Sequence, residues 1–441
     1  MHSDLPKVLH RLAGTPLLEH VIRAARSLKP TKICVIYGHG GDQVSTALQA
    51  RDICFVRQAK QMGTGHAVKQ ALPHLDVNAD TLILYGDVPL ISPTTLRKMI
   101  TRRREQLTLL TAEFPNPTGY GRIIRNQDGA VTGIVEEKDA TADQRKVTEG
   151  NTGLMYLPTP HLANWLKRIT NKNAQREYYL TDIVSLAVKD QVPIRTVTTT
   201  DLPEIQGVNN QAQLAELERL HQSRQAQKLL EQGVHLADPR RFDQRGILSC
   251  GRDVQIDVNC IFEGEVTLAD GVIIGANCVI RNATVGANTA VAPFTYIDDA
   301  VIGARCIVGP YARLRPATRL ADDVHIGNFV EVKASNIGAG SKANHLAYVG
   351  DTNIGRNVNV GAGTITCNYD GANKHKTIIE DDVFIGSDTQ LVAPVTVRRG
   401  ATIAAGSTIT KEAPADQLTL SRSRQVSIAN WKRPRKAVKP K

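Results

Sequence analysis

An aliphatic side chain recurs every sixth residue between about residue 250 and residue 410, and the period shifts by one residue between runs. Glycine often follows the aliphatic residue, and a small residue often stands four positions after it, as at Ile302, Gly303 and Cys306. A sustained hexad is typical of a parallel β-helix, in which each six residues supply one short strand and one corner. We therefore expect the aliphatic side chains to point inward and glycine to permit the turns. The aliphatic positions are Ile256, Phe262, Leu268, Ile274, Ile280, Val285, Val291, Ile297, Ile302, Val308, Leu314, Leu320, Ile326, Val332, Ile379, Ile385, Leu391, Val397, Ile403 and Ile409.

One polar segment, CNYDGANKHKT at residues 367–377, interrupts the hexad. A loop expelled from a regular solenoid commonly lies where the function is. We therefore expect this segment to border a functional site.

The chain before about residue 209 follows a different pattern. Short apolar segments such as KICVIYG (32–38) and TLILYGD (81–87) alternate with segments such as LLEHVIRAARSL (17–28), in which apolar residues recur at helical spacing. This alternation predicts an α/β domain with a mostly parallel sheet.

A separate segment joins the two halves. Residues 210–232 contain no Gly or Pro, carry leucines at helical spacing and precede Gly233, which predicts one amphipathic helix. The predicted organisation is a first domain (1–209), a linker helix (210–233) and a β-helix domain with a basic tail (234–441).

The net charge of +11 is concentrated at the C-terminus. No acidic residue follows Asp416, whereas eight Lys and Arg residues lie between Arg422 and Lys441. The folded domains therefore lack the charge excess of a nucleic-acid-binding protein. We expect the last residues of the tail to be solvated and disordered, and the inner SRSR (421–424) to meet an anionic cofactor.

The rest of the composition indicates a cytoplasmic protein without a membrane partner. No run of about 18 apolar residues is present, and the N-terminus has no apolar signal region. The seven cysteines are widely spaced and form no CxxC pair, which argues against a disulfide framework or a cysteine-based zinc site.

Several motifs occur together along the chain. They are YGDVPL, GTGHA, NPTGYGRI and GVNN in the first half, and RLRP, NFVEVK, NHLAYVGD and GAGTITCNYDGANKHKT within the hexads. As a set they resemble the family of bacterial bifunctional N-acetylglucosamine-1-phosphate uridylyltransferases / glucosamine-1-phosphate N-acetyltransferases. The resemblance covers essentially the whole chain. It implies an α/β nucleotidyltransferase-like (Rossmann-like) N-terminal domain, a C-terminal left-handed parallel β-helix, and a homotrimer whose acetyl-transfer sites lie between subunits.

In the β-helix half, the resemblance implies that the amine of glucosamine-1-phosphate attacks the thioester of acetyl-CoA. A general base helps because only a neutral amine attacks, and the matching residue is His345, with His325 and His375 as rivals. The positions that match sugar-phosphate ligands are Arg315, Lys333, Tyr348, Asn359 and Lys374. The positions that match acetyl-CoA ligands are Asn368, Tyr369, Ser387, Ala405 and Arg422.

In the first half, the resemblance implies that N-acetylglucosamine-1-phosphate attacks the α-phosphate of UTP and releases pyrophosphate, with Mg²⁺. Asp87 follows an apolar strand, where α/β sheets place ligands, although a strand-end Asp is also common in turns. Asp87 and Asn209 match the metal ligands, and Lys7 matches a phosphate contact. Matching uracil-side positions are Gln58, Gly63 and Thr64; matching sugar-side positions are Tyr85, Gly86, Gly121, Glu136 and Asn151. For Glu136, a plain surface charge is the other interpretation.

The sequence departs from the family pattern at its beginning. The family has a β-strand and a Gly-rich signature just before DLPK, where this chain begins with Met1. That loop would bind nucleotide phosphates with backbone N–H groups, and burial of the strand would contribute roughly 10 kcal/mol. We therefore expect that the natural start lies upstream of Met1.

Three other functions remain open from the sequence. The chain could be an acetyltransferase only, with an inactive truncated nucleotidyltransferase domain. It could be a scaffold without enzymatic activity, or a hexapeptide-repeat zinc enzyme, which would need three converging histidines.

Overall fold

The structure is a computed structural model that describes residues 1, 3–38, 41–48, 52–100 and 105–434. The end of the predicted basic tail, residues 435–441, lies outside the described residues. Contacts divide the chain into two compact units, Met1–Arg224 and Gln225–Lys441. Within the described ranges, no helix is long and apolar enough to cross a membrane.

The first unit alternates helices and strands. Its helices are α1 (Leu17–Arg26), α2 (Gly41–Leu48), α3 (Thr64–Ala71), α4 (Pro93–Met99), α5 (Thr159–Arg168), α6 (Asp182–Lys189) and α7 (Gln211–Glu231), which continues into the second unit, with 3₁₀ turns at Lys7–Leu9, Leu72–His74, Gln144–Lys146 and Leu202–Ile205. Its strands are β1 (Arg11–Leu12), β2 (Thr15–Pro16), β3 (Ile33–Tyr37), β4 (Ile53–Arg57), β5 (Asp80–Ile83), β6 (Leu107–Glu113), β7 (Gly121–Arg125), β8 (Val131–Val135), β9 (Glu149–Pro158) and β10 (Ile194–Thr199).

The main sheet of this unit is mixed, so the prediction of a mostly parallel sheet was wrong. Six strands pair in the order β10-β6-β9-β7-β8, with β5 also paired to β9. Only β10 and β6 are parallel; β9 is antiparallel to β5, β6 and β7, and β7 is antiparallel to β8. Neighbours in sequence such as β7 and β8 need only a hairpin, whereas parallel pairs need a long crossover.

Two further strands, β3 and β4, form a separate parallel pair. A cavity of about 1000 Å³ is lined by β3 and by the segment around β5. Among the described residues, no strand pairs with the second edge of β3 or with the edge of β5 that faces away from β9. The apolar lining of this cavity therefore comes from two sheets and from α1 and α3.

The second unit is the left-handed parallel β-helix that the hexads predicted. Consecutive coils pair in register 17 or 18 residues apart, as in Ile307 with His325 and His325 with Lys342. One face consists of the strands His235–Leu236, Gln255–Ile256, Ile273–Ile274, Ala290–Val291, Ile307–Val308, His325–Asn328, Lys342–His345, Asn359–Val360, Phe384–Ile385, Thr402–Ile403 and Leu418–Thr419.

The other two faces form one continuous sheet of 17 strands. Its strands are Phe242–Cys250, Cys260–Leu268, Val279–Arg281, Thr284–Val285, Tyr296–Asp298, Ala300–Ile302, Arg313–Leu314, Thr318–Leu320, Glu331–Lys333, Asn336–Ile337, Tyr348–Gly350, Thr352–Ile354, Ile365–Cys367, Thr377–Ile379, Gln390–Val392, Val395–Val397 and Thr408–Ile409, preceded by a 3₁₀ turn at Pro239–Arg241.

The hexad residues fill the interior of the β-helix, as predicted. Every aliphatic hexad position is at most 4% exposed, and the small residues four positions later are buried too. The explanation for the glycines was wrong, however. Gly303 does not adopt a positive φ; a Cβ there would lie 2.5 Å from the carbonyl carbon of Ala321 in the next coil. Asp and Asn instead adopt the left-handed backbone conformation in most corners, for example Asp323 with φ 61°.

Candidate active sites

Lys7, Asp87 and Asn209 converge in the first unit. The Nζ atom of Lys7 lies 2.5 Å from Oδ2 of Asp87 and donates to Oδ1 of Asn209 at 3.0 Å. Asp87 stands four residues after β5, and its carbonyl accepts the N–H of Val208, which brings the segment before α7 to the strand end. Two side-chain oxygens therefore point to one position that a cation occupies, the arrangement that a hard divalent ion requires.

The predicted sugar-side residues also come together. Gly121 on β7 pairs with Asn151 on β9, and a Cβ on Gly121 would lie 3.3 Å from Oε2 of Glu136. Glu136 accepts a hydrogen bond from Oγ1 of Thr181 at 2.8 Å, so it is held in place and is not a freely solvated charge. Burial, with the charges of Glu136 and then Asp87, raises the pKa of Tyr85 to about 12.

Gly153 makes room for the ring of Tyr85. Its φ is +85°, and a Cβ would lie 2.1 Å from Cε2 of that ring. Gly129 has a similar φ of +78°, but a Cβ on that residue would meet no other atom within 4 Å. The pair therefore separates backbone strain from collision with the ring.

We expect Gly153→Ala to lower the free energy of unfolding of the first unit by about 1–3 kcal/mol more than Gly129→Ala, because only the first places a methyl group against a buried ring. Urea unfolding followed by the fluorescence of the buried Trp165 measures both variants. Equal losses in the two variants would contradict the packing argument.

On the uracil side, a short loop joins β4 to α3. The amide Nε2 of Gln58 donates to the carbonyl of Gly63 at 3.2 Å, and Oγ1 of Thr64 accepts the N–H of Leu180 at 3.1 Å. Gly63 has φ +102°, and a Cβ there would lie 2.6 Å from the carbonyl oxygen of Tyr178. The loop is therefore fixed from both sides. Gly86 lies in the turn between Tyr85 and Asp87.

In the β-helix, a second group of predicted residues surrounds Asp351. Its Oδ2 is 3.8 Å from Nζ of Lys333 and accepts from Nδ2 of Asn368 at 2.5 Å. Asn368 also lies 3.5 Å from the hydroxyl of Tyr348. The proximity of Lys333 lowers the pKa of Lys374, which reaches this group from the expelled loop. Two ammonium groups thus lie beside hydrogen-bonding groups, which suits a phosphorylated sugar.

His345 ends a strand at the corner before Tyr348, and its Nδ1 lies 2.7 Å from Oδ1 of Asn328. An amide oxygen only accepts, so Nδ1 carries the proton and Nε2 keeps the lone pair. The same corner continues along the helix axis through backbone hydrogen bonds from Gly363 to His345, from Asp388 to Ala362 and from Gly406 to Ser387. Nη1 of Arg422 donates to the carbonyl of Ala405 at 2.9 Å.

The corner therefore aligns His345 with Ser387, Ala405 and Arg422. Tyr369 is 61% exposed on the expelled loop, with its hydroxyl donating to Gly371. Asn359 lies on the face that precedes the corner, opposite Lys342 of the previous coil, and shares no hydrogen bond with the lysine group among the residues that the structure describes. Beyond Arg422, residues 423–434 have no regular structure and are exposed.

The rival histidines have other surroundings. Nε2 of His375 is bound to Asp370 at 2.7 Å and closes the expelled loop. Burial, then Lys342 and His345, lowers the pKa of His325. Within the described ranges, no three His, Cys, Asp or Glu side chains group as a metal site, so the zinc-enzyme alternative gains no support.

Sequence reasoning missed the residues that hold the predicted ones. Asn328 binds His345, Asp351 binds Lys333, and Glu331 accepts from Nη1 of Arg315 at 2.9 Å. Their spacings of 16 to 18 residues correspond to one coil. A search for polar residues one coil away from each candidate would have found them.

Comparisons with known proteins agree with this division. Family models match residues 1–148 (MobA-like NTP transferase domain), 246–338 (GMPPB C-terminal domain) and 376–411 (bacterial transferase hexapeptide, six repeats). The chain is 60% identical over 440 residues to "Bifunctional protein GlmU" of Janthinobacterium sp., covering 100% of this chain and 97% of that protein. It is 61% identical over 435 residues to the protein of the same name from Aromatoleum aromaticum, covering 98% and 96%.

A more distant likeness is to a solved structure, the inositol-1-phosphate CTP transferase from T. maritima. It covers 50% of this chain and 89% of that one, with 15% identity and a TM-score of 0.37.

Proposed function

The chain belongs to the family of bifunctional GlmU proteins, and we propose from this how its residues carry out two reactions. The protein is an acetyltransferase that transfers acetyl from acetyl-CoA to glucosamine-1-phosphate. It is also a uridylyltransferase that joins N-acetylglucosamine-1-phosphate to UTP and releases pyrophosphate. The acetyltransferase-only and scaffold alternatives are not favoured, since the likeness spans both halves at 60% identity.

For acetyl transfer, we assign the general base to Nε2 of His345. Asn328 holds the Nδ1 proton, so the free lone pair is available to the sugar amine as it attacks the thioester. Lys333, Lys374 and Arg315 neutralise the sugar phosphate, and Tyr348 and Asn359 bind hydroxyl groups. The corner residues Ser387 and Ala405, with Asn368, Tyr369 and Arg422, hold acetyl-CoA, and Arg422 suits its anionic nucleotide end.

For uridylyl transfer, the observation that carries the assignment is the convergence on Lys7. Lys7 and Asn209 are 202 residues apart in the chain, yet both contact one position with Asp87. Oxygen ligands favour a hard divalent ion, and we propose Mg²⁺. Such an ion neutralises charge on the transferred phosphate. Lys7 can exchange its carboxylate partner for a phosphate oxygen.

The remaining residues of the first unit position the substrates. Tyr85, Gly86, Gly121, Glu136 and Asn151 form the sugar side, where Glu136 accepts a hydroxyl hydrogen. Gln58, Gly63 and Thr64 form the uracil side at the start of α3. Because phosphoryl transfer relies on positioning and charge neutralisation, these contacts supply much of the catalysis.

We further propose a homotrimer. Phe294, Tyr311 and Phe329 stack on successive coils with ring centroids 4.9 and 5.3 Å apart, and each ring is about half exposed. Leu346 extends this row with 62% exposure. A contiguous apolar row is typical of an association surface, and a second copy of the chain is the proposed partner. Sedimentation equilibrium should give three times the 48.0 kDa chain mass; a monomer would contradict the proposal.

We place both reactions in the cytoplasm. The described residues include seven free cysteines, which suits a reducing compartment. Fractionation of the native cells with both activities as markers tests this location.

Two parallel assays test the proposed function. Purified protein receives glucosamine-1-phosphate and acetyl-CoA, with free thiol as the readout, and separately N-acetylglucosamine-1-phosphate, UTP and Mg²⁺, with pyrophosphate as the readout. We expect product in both. A chain that releases thiol but never pyrophosphate would overturn the bifunctional assignment in favour of an acetyltransferase alone.

A further inference from the structure

The side-chain amide of Gln58 is held in one orientation by two acceptors. Its Nε2 lies 3.2 Å from the carbonyl oxygen of Gly63 and 3.0 Å from Nδ1 of His66. A carbonyl oxygen can only accept a hydrogen bond, so the amide group that faces Gly63 must be the NH₂ group. The second N–H of that group then points to His66.

This orientation fixes the tautomer of His66. Its Nδ1 accepts from Gln58, so the ring proton is on Nε2. The amide nitrogen of Gln70 lies 3.3 Å from Nε2 and 3.3 Å from the carbonyl of His66. Only one of the two glutamines can donate to a neutral ring, and the contact from Gln58 is shorter and is supported by Gly63. The tautomer therefore follows Gln58.

The remaining atom of the amide is Oε1. In the part of the chain that the structure describes, no group donates a hydrogen bond to this oxygen. Gln58 is also fixed at its backbone, because its N–H donates to the carbonyl of Tyr37 at 2.8 Å. The loop thus presents a single, oriented acceptor to a bound molecule.

An oriented acceptor distinguishes the two pyrimidine bases. Uracil carries a hydrogen on N3, whereas N3 of cytosine is a lone pair that would face the lone pairs of Oε1 in the same pose. If the amide could turn over, its NH₂ group would donate to N3 of cytosine, and this distinction would disappear. We propose that His66 is a positioning residue that holds the Gln58 amide with Oε1 toward the base and thereby selects UTP over CTP. This inference rests on the proposed function of the first unit.

The test measures kcat/KM for UTP and for CTP in three variants. His66→Phe keeps a ring and removes the acceptor, and we expect the UTP-to-CTP preference to fall by about 10- to 100-fold, mainly through KM, since one buried donor is released. His66→Asn places an amide oxygen near the position of Nδ1, so we expect most of the preference to return. Gln70→Leu should leave the preference within about threefold, because Gln58 sets the tautomer.

Two further measurements separate positioning from loss of structure. Imidazole ¹⁵N NMR of the wild-type protein should show Nδ1 unprotonated and Nε2 protonated. Acetyl transfer in the second unit serves as a folding control for every variant, and His74→Phe, at an exposed position in the next turn, serves as a matched histidine control.

The outcomes distinguish this inference from the function on which it rests. An unchanged UTP-to-CTP ratio in His66→Phe, with normal turnover of UTP, would overturn the role of His66 alone. Protonated Nδ1 in the NMR spectrum would overturn it too. Wild-type protein that neither binds UTP in calorimetry nor releases pyrophosphate would overturn the uridylyltransferase assignment, and the role of His66 with it.

Discussion

Replacing His345 with Ala should lower kcat for acetyl transfer by a factor of about 10² to 10⁴, the range expected for loss of a general base. The ring nitrogen that faces away from Asn328 is the only imidazole lone pair that the structure orients at this corner among the described residues. Thiol release from acetyl-CoA at saturating substrate measures the loss. Uridylyl transfer should be unchanged, because that reaction uses residues of the first unit only.

The rival histidines supply the controls for this prediction. His325→Gln and His375→Gln should each lower kcat by less than about tenfold, since His375 is bound to Asp370 and His325 does not share the contact with Asn328. A loss in His325→Gln that equals the loss in His345→Ala would transfer the role of base to His325. Raising the pH should partly rescue His345→Ala, because a larger fraction of the sugar amine is then neutral without a base.

The contact with Asn328 explains why a sequence can locate this site without showing how it is held. The hexad places every aliphatic residue inside, so the outward positions of the β-helix follow from the pattern. Which outward residues meet depends on the coil length, which is 17 or 18 residues in most coils and longer where the loop is expelled. His345 and Asn328 are neighbours for that reason alone, and the pattern within one hexad does not contain this information.

The first unit was harder to predict because its sheet depends on contacts between distant segments. Apolar segments identified β3, β5 and β6, but direction is a property of the pairing, and the central strand β9 runs against three neighbours. Glu136 illustrates the same limit at the site. Beside Glu137 and Lys138 in the sequence it resembles a surface charge, whereas its contact with Thr181 arises from a segment 45 residues away.

Glycine shows where a correct pattern had the wrong cause. The glycines of the hexads were expected to permit turns, but the structure requires them because the next coil passes too close for a Cβ, as at Gly327, where the carbonyl oxygen of Asn344 would lie 2.0 Å away. Conformational freedom and close approach both select glycine, and only the three-dimensional structure separates them.

Replacing Asp87 with Ala should lower kcat for uridylyl transfer by about 10³, because the variant loses one of two oxygens that converge on the cation position, and such electrostatic contacts contribute about this much. The half-saturating Mg²⁺ concentration should rise as well. Pyrophosphate release across a Mg²⁺ titration measures both effects. Asp87→Glu should recover part of the activity because it keeps a carboxylate, whereas Asp87→Asn should recover less, since it keeps an oxygen but not the charge.

The matched control for Asp87 is Asp143→Ala, which removes a carboxylate that is 91% exposed and pairs with the neighbouring Lys146. That variant should keep both activities. Because Lys7 binds Asp87 and Asn209 together, Asp87→Ala also releases the ammonium group of Lys7. A variant whose Mg²⁺ dependence stays unchanged while kcat falls would therefore mean that Asp87 acts by holding Lys7, and the divalent ion would have to bind elsewhere in the first unit.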